Sequence, residues 1–408
     1  MNAWQITSVG LVSLAVALLV VLTRRWHQQW TGDFEDSGVQ KHHRGSPPRI
    51  GLVPLICGVG LGVFFLGRSS APHAHAAADT LGLAVLASLP VVLLGLADDL
   101  TKKVTPRARL LGAAAAASLA IALLGSTILR TDVPLLDSLL GIAPLSVLLT
   151  LLMVCGFTNA MNIVDGLNGL AGGLAVLMLT ATGVVAAQLG DTMIVQLCLV
   201  LGLAVCGFLV VNFPRGLMFL GDGGAYFIGF LLAQVWILLL NRNPSVTPWF
   251  VMAVAFLPTM ETIFSIYRRR LHRARNKGAM APDRLHLHSL VYRRRVREQM
   301  RGTPWVERWV ANALASTIVL IFGAVPIVLA LFAPASLLWN LAVLALASIV
   351  FLTWIKGLIH FRHAKLGADG SVRRLHRGET GQPRAVWPVR STNNLPTTYP
   401  SEDTRQVS

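Results

Sequence analysis

Charge is what this chain has least of. Only 13% of its 408 residues are Asp, Glu, Lys or Arg, about half of the roughly 25% usual in soluble chains. That shortage excludes a disordered polyelectrolyte. An apolar share of 54% and a mean hydropathy of +0.62 exclude an ordinary water-soluble or nucleic-acid-binding domain. Acids are scarcer than bases, 19 against 35, for a formal net charge of +16. Cysteine is sparse too. Cys57, Cys155, Cys198 and Cys206 lie singly inside apolar runs, without the paired spacing of a zinc site or a disulfide framework, and read as small packing residues. There is no short-period repeat of a solenoid. Neither a basic start nor a small-residue cleavage site accompanies the first apolar run, which is therefore expected to be a retained helix.

What is there is a series of apolar runs long enough to cross a hydrocarbon core of roughly 30 Å. They fall near residues 3–23, 50–66, 80–97, 109–125, 139–158, 169–188, 192–211, 218–240, 247–267, 309–332 and 335–355. The expected fold is an all-α polytopic integral membrane protein with about eleven transmembrane helices, ten if a short run does not span. Arg24 and Arg25 directly follow the first run and place the N-terminus outside. With that orientation all Lys and Arg residues except Arg68, Arg130 and Arg242 fall on the inside. Topology then accounts for most of the basic charge in the inside loop 268–308, with contact to anionic lipid as a further role. Residues 1–355 form the expected transmembrane catalytic domain. Residues 356–408, polar and without apolar periodicity, form a cytoplasmic tail expected to be disordered.

Five carboxylates touch the apolar runs: Asp98, Asp99, Asp165, Asp222 and Glu261. An ionised acid costs several kcal/mol at membrane depth, so each is a functional candidate. All five fall at inside ends or in inside loops, and none lies at a span midpoint, where a transporter would place them. Asp98 and Asp99 end the third run, followed by Lys102, Lys103, Arg107 and Arg109. Paired acids can hold a divalent cation, or one can act as a base while cations beside it bind phosphate. Asn159, Asn162 and Asp165 recur every three residues and share a face if the helix continues, and Gly166 and Gly169 then allow close backbone approach. Asp222 lies among Gly221, Gly223 and Gly224 at a helix start, where a metal ligand would stand beside free amide N–H groups that favour phosphate. In the segment from Pro282 to His288, His286 and His288 have no Cys and no HExxH register, so phosphate contact with Arg284 is a better reading than zinc.

In order, these segments resemble the polyprenyl-phosphate N-acetylhexosamine-1-phosphate transferases. The matching motifs are Pro48-Arg49-Ile50-Gly51 after Lys41 and His42, the pair Asp98-Asp99, Asn159 through Leu170, Asn212 with Phe219 and Gly221-Asp222, and Asp283 to His288. The resemblance covers roughly residues 1–355. It implies transfer of a sugar phosphate from a UDP-N-acetylhexosamine to a polyprenyl phosphate such as undecaprenyl phosphate, with release of UMP, at the cytoplasmic face of a bacterial inner membrane. This would start a lipid-linked envelope glycan such as an O-antigen. The resemblance further implies Mg2+, with Mn2+ as a substitute, held by Asp222 and by Asn162 as second ligand. Asp98 would deprotonate or orient the lipid phosphate, with Asp99 close by as the other catalytic acid. Phe219 would stack on uracil and Asn168 would stand in the nucleobase pocket, joined by Lys41, Asn159, Asp165 and Asn212 in nucleotide and sugar binding. Arg109, Arg284, His286 and His288 would surround the diphosphate. The partners are the two substrates and the bilayer, with a homodimer allowed and no nucleic acid.

Two positions depart from the family pattern: Leu52 replaces a frequent second Gly, and Ser289 a further His. The Pro-Asp-Arg-x-His-x-His pattern looks like the GlcNAc-1-phosphate branch rather than the phospho-N-acetylmuramoyl-pentapeptide transferases, which remain the alternative. From other classes, an ion-coupled transporter would need mid-span ionisable residues and two related halves. An inactive assembly scaffold would leave the polar clusters on one side unexplained.

Overall fold

A computed structural model describes residues 2–33, 46–274, 286–300 and 308–359, with two short strands, Lys365–Leu366 and Val372–Arg373. Lys41 and Arg284, and most of residues 356–408, lie outside the described residues. The chain divides into two compact units, Met1–Phe361 and Arg362–Ser408. In the second, the two strands pair antiparallel. All the described helices belong to the first.

These are α1 (Ala3–Thr31), α2 (Leu52–Gly67), α3 (Pro72–Thr101), α4 (Pro106–Leu124), α5 (Pro134–Leu140), α6 (Ala143–Val164), α7 (Leu170–Gln188) and α8 (Thr192–Asn212). Then come α9 (Gly221–Arg242), α10 (Pro248–Val254), α11 (Phe256–Ala274) and α12 (Leu287–Leu290), the last running through a π-helix, Val291–Val296, into α13 (Arg297–Gln299). The unit ends with α14 (Arg308–Ala330) and α15 (Leu337–Ile359). Among the described residues nine helices are long and apolar enough to cross a bilayer, or ten when α10 and α11 count as one bent span. This is a multi-pass membrane protein. The remaining expected span is α2, whose 16 residues rise about 24 Å at 1.5 Å each, short of a full crossing.

Local sequence explains where the helices start. Asn2 and Gln5 form a reciprocal cap on α1, each side chain accepting the other's backbone N–H. Proline opens α3, α4, α6 and α10, where its missing N–H has no intrahelical partner to lose. The run read as one straight span at 247–267 is instead broken, with α10 and α11 meeting at 78°. Pro258 accounts for this, because it cannot donate to the Val254 carbonyl and its ring clashes there.

The centre of the bundle is α9, buried on all sides and packed against α3 and α6. Helices α1 and α15 lie at the periphery, with most of their apolar surface outward. Glycine sets the closest approach. A Cβ on Gly95 of α3 would lie 2.7 Å from the Gly223 backbone, so only glycine lets the end of α3 meet the start of α9. That contact brings Asp98 and Asp99 beside Asp222.

Candidate active site

The site begins with how α9 starts. Gly221 has φ +74°, in the left-handed region. The next two backbone N–H groups, of Asp222 and Gly223, donate to Asp99 Oδ1 and Oδ2 at 2.8 and 2.9 Å. Asp99 is 2% exposed and both its oxygens are used in this way. A carboxylate on the first free N–H groups of a helix answers both their hydrogen-bonding need and the helix dipole. Asp99 therefore fixes where Asp222 stands.

Asp98, its neighbour, turns the other way. Its Oδ1 accepts the Val104 N–H at 3.0 Å, which closes the turn between α3 and α4. Its Oδ2 lies 3.6 Å from Arg109 Nη1, and the side chain is within hydrogen-bonding reach of Asp222. Thr105 caps α4 by accepting the Ala108 N–H, and Arg109 in the first turn donates to Asp222 Oδ2 at 2.9 Å. Tyr226, one turn into α9, stands beside Arg109.

The other oxygen of Asp222 is taken by Arg49, at 3.1 Å. Arg49 is pinned by its backbone. Its N–H donates to Thr31 O, while Phe219 N–H donates to Pro48 O and Gly51 N–H to Phe219 O. The guanidinium also stands 3.5 Å from Asp99 and 3.7 Å from Asp33, and Lys102 reaches Asp33 at 3.5 Å. Burial works against its charge, but Asp99, Asp222, Asp33 and Asp165 more than offset this and hold Arg49 charged above its ordinary range. Asp165, just beyond the end of α6, completes the group. Burial pushes its carboxyl up to about 7, with Arg49 pulling it down and Asp222 adding to the rise.

Of the expected residues, Asp98, Asp99, Asp165, Asp222 and Arg109 thus converge. Asn162 is half-buried near the end of α6, and its carbonyl accepts the Asp165 N–H. Asn159 donates to Cys155 O within the same helix. Asn168 and Asn212 are buried braces. The Asn212 amide accepts from Gly169 N–H and donates to Met218 O, while Asn168 donates to Pro214 O. They shape the loops after α6 and α8. Phe219 is half-buried immediately before α9. His286 and His288 stack on each other at the start of α12, and His288 Nε2 faces Gly166, where a Cβ would lie 2.3 Å away. The histidines therefore join the Asp165 loop.

Sequence reading gave no site role to Arg49, Asp33 or Tyr226. Arg49 was visible only as part of a Pro-Arg-Ile-Gly string, and Tyr226 lies within an apolar run. Asp33 carries no local signal.

The donor set can be tested for a divalent cation. Fully ionised, the five acids Asp33, Asp98, Asp99, Asp165 and Asp222 outnumber Arg49, Arg109 and Lys102 by two charges among the described residues. Two carboxylates, those of Asp98 and Asp222, stand close enough to repel. No group of three or more His, Cys, Asp or Glu is arranged for a metal among the described residues. The described residues thus make no all-protein cage, but Mg2+ commonly uses one or two carboxylates plus water and substrate phosphate. The residues fit that ion.

Comparison with known proteins agrees in kind. A model of glycosyl transferase family 4 matches residues 81–240, from within α3 into α9. A protein of Bacillus subtilis (strain 168) named a probable undecaprenyl-phosphate N-acetylglucosaminyl 1-phosphate transferase is 30% identical over 285 residues, covering 68% of this chain and 75% of its own. An undecaprenyl-phosphate alpha-N-acetylglucosaminyl 1-phosphate transferase of Yersinia pestis is 28% identical over 263 residues, 62% of this chain and 68% of its own. The Salmonella typhi protein of that name is 29% identical over 266 residues, 62% and 67% respectively.

Proposed function

This chain belongs to glycosyl transferase family 4, and from that premise we propose that it transfers an N-acetylhexosamine 1-phosphate from a UDP-sugar to undecaprenyl phosphate, releasing UMP. The observation that carries the reading is the meeting of Asp98, Asp222, Arg49 and Arg109 at one end of α3, α4 and α9. The names of the relatives supply the acceptor and the reaction class. The positive-inside distribution of Lys and Arg supports a cytoplasmic site and an outside N-terminus, and the bacterial source of the relatives supports a bacterial inner membrane.

Asp222 and Asp98 would hold Mg2+, with Asn162 as a further oxygen donor. When bound, the ion supplies charge neutralisation at the diphosphate. The residues of the chain do the rest. Arg49 and Arg109, already aimed at Asp222, attract the diphosphate and offset charge on the departing UMP. Asp99 keeps the start of α9 in place. Asp98 orients the acceptor phosphate or takes its proton. Asn159, Asp165, Asn168, Asn212 and Phe219 border the nucleotide and sugar, and His286 and His288 the diphosphate; Lys41 and Arg284, outside the described residues, would be assigned to the same two groups by the family resemblance alone. The test is purified protein with undecaprenyl phosphate, Mg2+ and a panel of UDP-sugars. UMP release that requires lipid phosphate supports the reading, and no release with any sugar overturns it.

Phe219 gives a separate prediction. Its backbone is held by Pro48 and Gly51, so the ring is presented by a fixed strand-like pair. Stacking on a base contributes about 1–3 kcal/mol, which corresponds to roughly a fivefold to 150-fold change in binding. Phe219→Ala is expected to raise the KM for UDP-sugar by about that factor with little change in kcat, because stacking acts in ground and transition states alike. Equal heat protection of wild type and variant by UDP would remove Phe219 from the base pocket.

A further inference from the structure

Glu261 has no part in the chemistry above, yet at 1% exposure on α11 it is more deeply buried than Asp99, Asp33 or Asp222. A buried carboxylate persists only with partners that compensate its lost hydration. Its partners are the two histidines. His286 Nδ1 lies 3.2 Å from Glu261 Oε2, and His288 Nδ1 lies 3.6 Å from Oε1. The rings are parallel within 4°, with centroids 5.5 Å apart. One carboxylate therefore addresses the same nitrogen of both imidazoles. Glu261 Oε1 and His288 Nδ1 are both buried without a hydrogen bond, and they face each other. That pair needs only a small closing movement to form one, as catalytic hydrogen bonds often do on substrate binding.

A carboxylate at Nδ1 sets the tautomer and rotation of an imidazole and leaves Nε2 for the other side. For His288 that side is Gly166, next to Asp165 and the Arg49 cluster. One Glu and two His are zinc ligands by type. Here, however, the acid contacts both rings directly, and no metal-holding group of three is present among the described residues.

We propose that Glu261 is a positioning residue, which holds His286 and His288 by Nδ1, turns their Nε2 atoms toward the substrate diphosphate, and acts on the transfer only through them. The inference rests on the reading of the neighbouring cluster as a phosphate-transfer centre. It gives an inward role to an acid on the far side of the α10–α11 break, so the bend matters to the site as well as to the bundle.

A double-mutant cycle tests it with the purified full-length chain, undecaprenyl phosphate, Mg2+ and UDP-N-acetylglucosamine, or whichever UDP-sugar the wild type uses. Glu261→Gln is expected to lower kcat by about 10²-fold, the scale of a lost acid–base or orienting contact. The KM for UDP-sugar should change by less than about threefold, as for a contact made chiefly in the transition state. The decisive reading is epistasis. Glu261→Gln added to the variant carrying both His286→Gln and His288→Gln is expected to be no more than about threefold slower than that two-histidine variant alone, because groups that act as a unit lose activity together. A purely structural glutamate would instead multiply its loss onto that of the two histidines. Multiplied losses, or near-normal turnover of Glu261→Gln, overturn the proposal. If Glu261→Gln fails to insert, Glu261→Asp keeps the charge but shortens the reach, and the same cycle applies to it. A wild type that releases no UMP from any UDP-sugar refutes the transfer reading itself, whereas an active wild type with multiplied losses refutes only the role of Glu261.

Discussion

Asp222→Asn is expected to lower UMP release by about three orders of magnitude while the protein still folds and inserts. Both oxygens of Asp222 are committed, one to Arg49 at 3.1 Å and one to Arg109 at 2.9 Å. An asparagine keeps one acceptor and turns an NH2 toward the other guanidinium, where two donors face each other. It also removes a hard oxygen donor from the pair with Asp98. The fold has other holds on the same elements. Asp99 caps the start of α9 through backbone N–H groups that the substitution leaves alone, and Arg49 retains Asp99 and Asp33. Tm is therefore expected to move by only a few degrees, since a loss of about 1–2 kcal/mol shifts a large domain's Tm by that much. UMP release and Tm measured on the same preparation check this. A higher Mg2+ requirement in any residual activity would place the loss at the ion. Near-normal turnover would remove Asp222 from the site.

How much of this was legible in the sequence depends on the range over which each signal acts. Hydropathy is local, so every expected run corresponds to a helix or a broken helix. The break at Ala255 is also local in origin, but an apolar window averages over a proline such as Pro258. Acids in an apolar context were visible because their cost is intrinsic to the residue. Their division of labour was not. Nothing in Asp98-Asp99 says that one carboxylate faces the Val104 turn and Arg109 while the other caps a helix more than a hundred positions away. That difference follows from two successive residues on a helix pointing about 100° apart, once Gly95 lets α9 approach. Asn168 and Asn212 also brace their loops, a role their residue type does not announce, since an amide satisfies backbone groups as readily as a substrate. Arg49 was hidden for the opposite reason. A basic residue on an inside loop is what topology already predicts, so its charge carried no surplus signal.

The second large effect separates two mechanisms. In a single displacement an oxygen of the lipid phosphate attacks the sugar-proximal phosphorus, and the bond to the UMP oxygen breaks. In a double displacement a carboxylate would attack first and release UMP without lipid. The acids are not equally free to do this. Asp99 is buried with both oxygens on backbone N–H groups, and attack would uncap α9. Asp222 would have to leave two guanidiniums. Of these three, Asp98 has the oxygen held most loosely, 3.6 Å from Arg109, which suits orienting an incoming phosphate. A lipid phosphate is already a competent nucleophile, so positioning and charge neutralisation are what it needs from the protein. Asp98→Asn is therefore expected to lower turnover by about 10³-fold, on the scale of general-base and orienting losses. Tm should be unchanged or slightly higher, because one of two neighbouring negative charges is gone. Wild type given labelled UDP-sugar in rigorously lipid-free detergent is expected to release no burst of UMP, and to start turning over when undecaprenyl phosphate is added. A burst equal to the enzyme concentration, with label kept on the denatured protein, would overturn the single displacement. Asp98 would then be the first carboxylate to examine as the nucleophile, since its attack disturbs the fewest contacts.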